Sequence, residues 1–494
     1  MMAATVLALA ATLAIVTQDQ TALRAAPRDS AQQQAALWQG DVLEIRGQRM
    51  DHLQVYDHRR ERSGFVKTSQ VRTTSLEAVQ APELLSVMRF VRDTPGAEAL
   101  GVGYAAAYLK AVPARDITAE PFDVLGSLAD RLARRASARQ GKVNDPTLAA
   151  HLEVVASYGV TLKSYERDGR MQICYDGDAF RRVLAMPTAT APQQARAALG
   201  LTRHECVDPQ LRPHERFQVD RWRAEVLDRV DLSQLPETLK NRMQLRRAGV
   251  WSAVAYETTR RLDEEQGVVA FSEASQAAAR RAIDALAAVN KTELTDDDQL
   301  EYTEAALRTS ASRWAAEAAP KALPNRPGRL TVLTHSGEPG QTCVLLVDAA
   351  KTPEQAAKAP LHRRCTFGTV WASSASASPD GRALTLAVQA LDTWRELWVF
   401  RRGDQGWTVD VLPPASSTLV GPDIGYSEFA GWVPGGERLL MVRESRVDGR
   451  FKRSFEVLSL KDLTTEKQAS QASLLVLFSR WQDPAWKRQT LSLR

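Results

Sequence analysis

The hydrophobic period changes twice along the 494 residues of this chain. Between Thr21 and Arg72 apolar and polar residues alternate in short phrases, Asp41-Val42-Leu43-Glu44-Ile45 and His52-Leu53-Gln54-Val55-Tyr56, bounded by glycine, aspartate or charged turn residues. Period two predicts short half-buried strands, because successive side chains of an extended chain point to opposite faces. From Ser75 to Ala319 the period turns helical. Leu84, Leu85, Met88 and Val91 form one stripe that Pro95-Gly96 ends, and Leu125, Leu128, Ala129 and Leu132 form another, followed by a basic surface at Arg131, Arg134 and Arg135. Pro236 opens a long stretch in which Leu239, Met243, Val250 and Val254 recur at near-helical spacing. Two more helices are predicted, from Ser272 to Asn290 and from Thr295 to Ala318. Thr295 serves the second as a cap, and Asp296, Asp297 and Asp298 suit its positive end. One interruption, GVTLKSYERDGRMQICYDGDAF, predicts a hairpin turning at Arg167-Asp168-Gly169.

Pro320, Pro324 and Pro327 break the helical text, and period two returns in repeated phrases: PGRLTVLT from Pro327, SPDGRALTLAV from Ser378 and VPGGERLLMV from Val433. Leu330, Leu384 and Leu439 recur at steps of about 55 residues, a length that repeat architectures use. A second strand aligns in each unit, at Thr342 to Asp348, Glu396 to Arg401 and Ser454 to Ser459. The tail SLLVLFSRWQDPAWKRQTLSLR is expected to supply a further strand pair, or the region is an incomplete propeller or a curved sheet stack.

The amino terminus carries an apolar run, Ala3 to Val16, too short to span a bilayer and long enough for a signal-peptide core, although a positive n-region is missing. The alternative is an apolar first strand or a buried helix. No later segment has eighteen uninterrupted apolar residues, so no stable membrane insertion is expected after signal removal. Export agrees with the four cysteines, which fall as two close pairs, Cys174 with Cys206 and Cys343 with Cys365. Three connectivities are possible, and the nearest-neighbour one is simplest. Their spacing lacks the Cys-x-x-Cys of metal or redox sites, so structural disulfides are expected, with no metal and no cofactor.

With 44% hydrophobic and 25% charged residues the composition is that of a folded protein, and its length calls for two to four cores. The formal charge is only +5, with 64 basic and 59 acidic residues interspersed, so a nucleic-acid partner is not indicated.

The amino-terminal strands resemble a bacterial SH3 domain: an opening LRAAP strand, a Gly40-Asp41 turn, an LQVYD strand, then Gly64-Phe65-Val66 ahead of Ser69-Gln70-Val71-Arg72. His52 stands where an aromatic often precedes the central strand. The resemblance implies a small barrel that binds cell-wall peptides or other proteins, with Trp38, Tyr56, His58 and Arg59 as candidate binding residues; the alternative has Trp38 and Tyr56 completing the barrel core. SPDGR at Ser378 and GWVPGGERLL at Gly431 resemble the TolB-type, WD40-like propeller repeat, which implies a further protein-binding surface. The expected fold is therefore multidomain α+β: a signal peptide over 1–18, an SH3-like β-barrel over 19–74, a central α-helical domain with one β-hairpin over 75–320, and a propeller-like or stacked antiparallel β-repeat domain over 321–494.

Enzyme signatures miss by a residue. Gly425-Tyr426-Ser427-Glu428-Phe429 starts like a nucleophile elbow but has Phe429 where the turn needs glycine. His204-Glu205-Cys206-Val207-Asp208 lacks the second histidine of a zinc helix. Gly101-Val102-Gly103 mimics a dinucleotide loop without a preceding strand. The expectation is an exported, non-enzymatic binding or scaffold protein of the cell envelope, periplasmic or secreted, whose partners are proteins or cell-wall peptides. A cell-wall hydrolase with the SH3-like part as its targeting module is the alternative.

Overall fold

The computed structural model describes residues 12–138, 145–167, 169–266, 273–317, 330–415, 424–447 and 449–489. The protein is mixed α+β, with 13 α-helices and several antiparallel sheets among the described residues. Its contacts divide it into two units, residues 1–211 with 229–235, and residues 212–228 with 236–494. The division falls inside the helical text rather than at 74/75 and 320/321. Helical period reports that a face is buried, and says nothing of which sheet or helix buries it.

The first unit opens with β1 (Leu13–Val16), β2 (Thr21–Arg24), β3 (Gln33–Leu37), β4 (Val42–Arg49), β5 (His52–Asp57), β6 (Arg62–Lys67) and β7 (Val71–Thr74). They form one sheet in the order β3-β2-β6-β5-β4-β1-β7, and no pairing joins its ends, so the expected barrel is not closed among the described residues. One face wraps a small core of Ala14, Val16, Leu23, Leu37, Leu43, Leu53, Val55 and Val66. The other presents Ile15, with Trp38 and Val42, to a helical cluster. That cover hides apolar surface that closure would otherwise have to hide.

Strand β1 lies within the span of the proposed leader, 1–18. Leu13–Val16 pairs with both β4 and β7, and Ala14, Ile15 and Val16 are fully buried. A strand buried on both faces reads as a continuous apolar run, which the pattern alone does not separate from a signal core. Burial of a Val or Ile side chain contributes about 1.5–3 kcal/mol, so cleavage after residue 18 would remove a substantial part of this small core. Residues 1–11 of the proposed leader lie outside the described residues.

Helices α1 (Ala81–Arg92), α2 (Glu98–Ala111), α3 (Glu120–Ala138), α4 (Pro146–Ser157), α5 (Asp178–Ala185) and α6 (Ala191–Leu201) follow, interrupted by the hairpin β8 (Leu162–Arg167) and β9 (Arg170–Tyr175). Leu84, Met88 and Val91 of the predicted stripe are buried with Leu128, Ala129 and Leu132 of the next. Gly101 of the dinucleotide-like phrase lies inside α2, where a Cβ would meet Leu128 Cδ1 at 2.6 Å, so it is a packing glycine. The disulfide Cys174–Cys206 ties β9 to the turn after α6.

The second unit begins with α7 (Pro213–Asp228), α8 (Glu237–Gln266), α9 (Glu273–Ala287) and α10 (Asp296–Ser312). Thr295 caps α10, its hydroxyl accepting from the Asp298 amide at 3.3 Å. Then come β10 (Leu330–Ser336), β11 (Thr342–Asp348), α11 (Pro353–Lys358), β12 (His362–Thr366), β13 (Thr369–Ala377), β14 (Ala383–Leu391), β15 (Trp394–Gly403), β16 (Gly406–Leu412), β17 (Ile424–Val433), β18 (Arg438–Val447), β19 (Arg450–Ser459), β20 (Thr465–Ala469), α12 (Val476–Trp481) and α13 (Pro484–Gln489). They make three antiparallel meanders, β10–β12, β13–β16 and β17–β20, the last two joined into one eight-stranded sheet by a short parallel pairing of β15 with β17. The repeated leucines hold equivalent positions. Leu330, Leu384 and Leu439 open β10, β14 and β18, which pair with β11, β15 and β19.

The meanders stack. Val344 and Leu346 of β11 meet Trp398 and Phe400 of β15 in one core, while Leu397 and Val399 point the other way to meet Leu439 and Met441 of β18. Helices cover both outer faces, Ala356 of α11 against Leu345 and Val347, and Phe478 and Trp486 of α12 and α13 against Leu440 and Val442. The tail therefore supplies helices where a further strand pair was expected. No ring closes among the described residues. Gly431, at φ +155°, interrupts the β17 register and admits the tail: a Cβ there would run into the carbonyl of Trp481. Cys343–Cys365 bridges directly opposed positions of β11 and β12.

Candidate functional site

In the second unit the carboxyl end of α10 meets β15 and β17 around a buried ion cluster. Arg395 of β15 is fully buried and donates from Nη1 to the carbonyls of Ser310 and Ala311, at 2.6 and 3.4 Å. Those carbonyls belong to the last turn of a helix, where peptide dipoles leave partial negative charge for a cation. Its Nη2 lies 3.2 Å from Glu428 Oε2 of β17, and Arg313 pairs with the other carboxylate oxygen. Burial pushes Arg395 down to about 10, against the pull of Glu428. The guanidinium carbon of Arg395 stands 5.1 Å from the Tyr426 ring centre, and the Tyr426 hydroxyl donates to Glu444 at 2.8 Å. Both ends of the cluster are thereby fixed.

Above it opens a cavity of about 380 Å³. Its polar edge is β13, which bulges: the register jumps from Trp371 opposite Ala387 to Ser376 opposite Thr385, pushing Ala372 to Ala375 outward. Ser374 Oγ fixes the bulge, donating to the Trp371 carbonyl at 2.6 Å and accepting from the Ala387 amide at 2.7 Å. Ser376 Oγ accepts from Trp432 Nε1 at 3.2 Å. The buried Ser373 Oγ has no partner, nor has the Trp314 indole nitrogen. Both residues line the cavity.

The remaining walls are aromatic and acidic. Trp314, Phe429 and Trp486 supply ring surface, and Arg313 stacks on Trp314 at 4.2 Å. Asp483 reaches the cavity from the link between α12 and α13, with its amide bonded to Ala430 O at 2.7 Å and its carboxylate capping the Ala485 amide at 2.7 Å. Glu317 and Glu428 join it, so three carboxylates and one arginine line the space. The cavity has the features of a small-ligand site: a concave volume, flat apolar walls and a few fixed polar groups.

The four binding residues expected from the sequence lie in the first unit. Tyr56 and His58 meet edge to face at 4.8 Å; Arg46 covers the Tyr56 ring at 4.0 Å, and His58 Nε2 is 2.7 Å from Glu44 Oε2. Hydrogen bonds from Arg46 and His58 hold the Glu44 carboxyl below its ordinary range. Arg59 turns elsewhere, pairing with Asp41 at 3.1 Å and Glu153 at 2.9 Å. Trp38 packs against the helical core. The sheet thus brings two of the four together, while the other two hold sheet and helices in place.

Sequence reasoning passed over the residues of the cavity. Arg395 and Glu428 did leave a signal, since each is a charge inside an otherwise apolar strand phrase, and such a charge needs a buried partner. Ser427 of the elbow-like phrase is inside β17, fully buried, with no strand-to-helix turn. Nothing in the spacing announced Ser373 or Asp483, because the bulge and the tail helices that deliver them are tertiary features. Comparisons with protein-family models, with curated proteins and with solved structures found no match.

Proposed function

We propose that the protein is an exported, non-enzymatic binding protein or scaffold of the cell envelope, recognising cell-wall peptide or protein partners. The observation that carries this reading is the second-unit cavity, whose aromatic walls and bulged serine edge rest on an ion cluster too deeply buried to rearrange cheaply. Preformed concave surfaces of this kind bind without a large ordering cost. Two disulfides fit an oxidising compartment, and among the described residues no helix is long and apolar enough to cross a membrane.

The three meanders, the second and third with a matching Pro-Gly turn between their first two strands, support a propeller-like module cut short and capped by helices. The amino-terminal sheet around its small core supports an SH3-like module, with Tyr56 and His58 as its accessible aromatic pair. Incubation with isolated sacculi and with periplasmic extract tests the reading. Retention on sacculi without released fragments, or specific capture of an envelope protein that Ser373→Leu abolishes by filling the cavity, is the expected result. Release of soluble muropeptides would replace it with the hydrolase reading.

A further inference from the structure

We infer that the second-unit cavity receives an alkylammonium group, such as a lysine-type side chain of a partner peptide. This rests on the binding function proposed above and adds the chemistry of what is bound. Three observations carry it. The lining charges are Glu317, Glu428 and Asp483 against Arg313, a negative balance in a chain whose formal charge is +5. Within that balance Arg313 and Arg395 are already committed to Glu428 and to the carboxyl end of α10, and Asp483, from the link between α12 and α13, adds a carboxylate that is not part of the cluster.

The second observation is the apolar part of the wall. Ala375, Ala387, Leu397 and Ala485 offer a smooth channel for a methylene stem, and Trp314 and Phe429 offer π faces, which attract a cation as its water is removed. Trp314 already holds the Arg313 guanidinium on its ring, so one aromatic wall carries a cation within the fold itself. The third is the unpartnered Ser373 Oγ on the bulge, with Ser376 Oγ on the same cavity wall, whose indole contact uses one of its two acceptor lone pairs. An ammonium carries three donors and no acceptor, so it is satisfied by hydroxyl oxygens and a carboxylate together. A carboxylate ligand would enter a space lined by Asp483, Glu317 and Glu428 and be repelled.

Calorimetric titration at low salt, with the full-length protein, uses acetyl-Ala-Lys-Ala-amide and its norleucine and glutamate counterparts. The shift of the Trp314 indole N–H resonance, assigned with Trp314→Phe, locates the site. The lysine peptide is expected to bind about tenfold more tightly than the norleucine peptide, to weaken with added salt, and to move the Trp314 signal. Asp483→Asn, which keeps a capping side chain at α13, should remove most of that preference while leaving norleucine affinity unchanged. Cadaverine distinguishes the source: binding equal to the peptide assigns a free diamine, and weaker binding assigns a peptide side chain. Equal affinity for lysine and norleucine, a preference for glutamate, or no binding of any amine probe overturns the assignment. Retention on sacculi or partner capture in those cases leaves the docking function standing with a different ligand.

Discussion

Each unit contains a buried network of arginines around a glutamate, and the two networks do different things. In the first unit Glu98, 1% exposed, pairs with Arg131 at 2.9 Å and Arg135 at 2.7 Å. Arg135 continues to His151 Nδ1 at 2.9 Å, and His151 Nε2 to Asp19 at 2.8 Å. A guanidinium can only donate, so Nδ1 accepts and Nε2 carries the proton toward Asp19. This chain fastens α2, α3 and α4 to the turn after β1, and its arginines reach solvent, with side chains 30% and 20% exposed. In the second unit Arg395, Arg313 and Glu428 are all at most 5% exposed, and a cavity opens beside them. Identical residue types make a clasp where water is near and a rigid floor where it is excluded.

The largest effect should come from removing the central acid of the second-unit network, with the first-unit network as its contrast. Glu428→Gln leaves two guanidinium groups buried without their counter-charge and is expected to cost about 3–5 kcal/mol. Glu98→Gln lets Arg131 and Arg135 turn to water and should cost about 1–2 kcal/mol. Hydrogen exchange read separately in each unit checks this, and equal losses would remove the distinction between clasp and floor.

Next come the disulfides, one per unit. Replacing Cys174 and Cys206, or Cys343 and Cys365, by serine should cost about 3 to 4 kcal/mol in the chain-entropy picture. The loss should stay within the unit that carries the bridge, as urea unfolding followed by limited proteolysis would show. A loss that spread to both units would mean that they unfold together.

The smallest effect has the opposite sign. Glu257 of α8 is 8% exposed, and burial pushes its carboxyl up to about 7; Asp392 and Asp220 add to the rise, while Arg260 and Arg216 oppose it. A carboxyl raised on folding favours the unfolded chain as pH increases, so stability should fall between about pH 4.5 and 7 by up to about 3 kcal/mol. Glu257→Gln should therefore stabilise the second unit at pH 8 and make little difference at pH 4.5. Melting curves at the two pH values test the sign, and destabilisation at pH 8 would mean that Glu257 is held ionised by its arginines.

Much of this was legible in the order of residues. The stripe through Leu84, Met88 and Val91, the Thr295 cap, both cysteine pairs and the register of Leu330, Leu384 and Leu439 follow from local periodicity, which the folded chain has to obey. The phrase Leu13 to Val16 was ambiguous for a physical reason: a leader and a strand covered on both faces have the same hydrophobicity. The tail was ambiguous too, because Phe478 and Trp486 serve equally as strand residues and as helical plugs against β18.

By itself, then, the sequence determined most of the elements and the repeat, since these depend on neighbours a few residues away or on spacing along the chain, and it made the observed disulfide pairs the simplest of three connectivities. Only the tertiary structure decided where the two units divide, that the sheets stay open among the described residues, and that a bulge at Ser373, Trp314 just past the end of α10 and a tail residue at Asp483 line one cavity. Those groups are far apart along the chain, and what brings them together is burial of apolar faces, a force without direction that leaves no local mark on the residues it assembles.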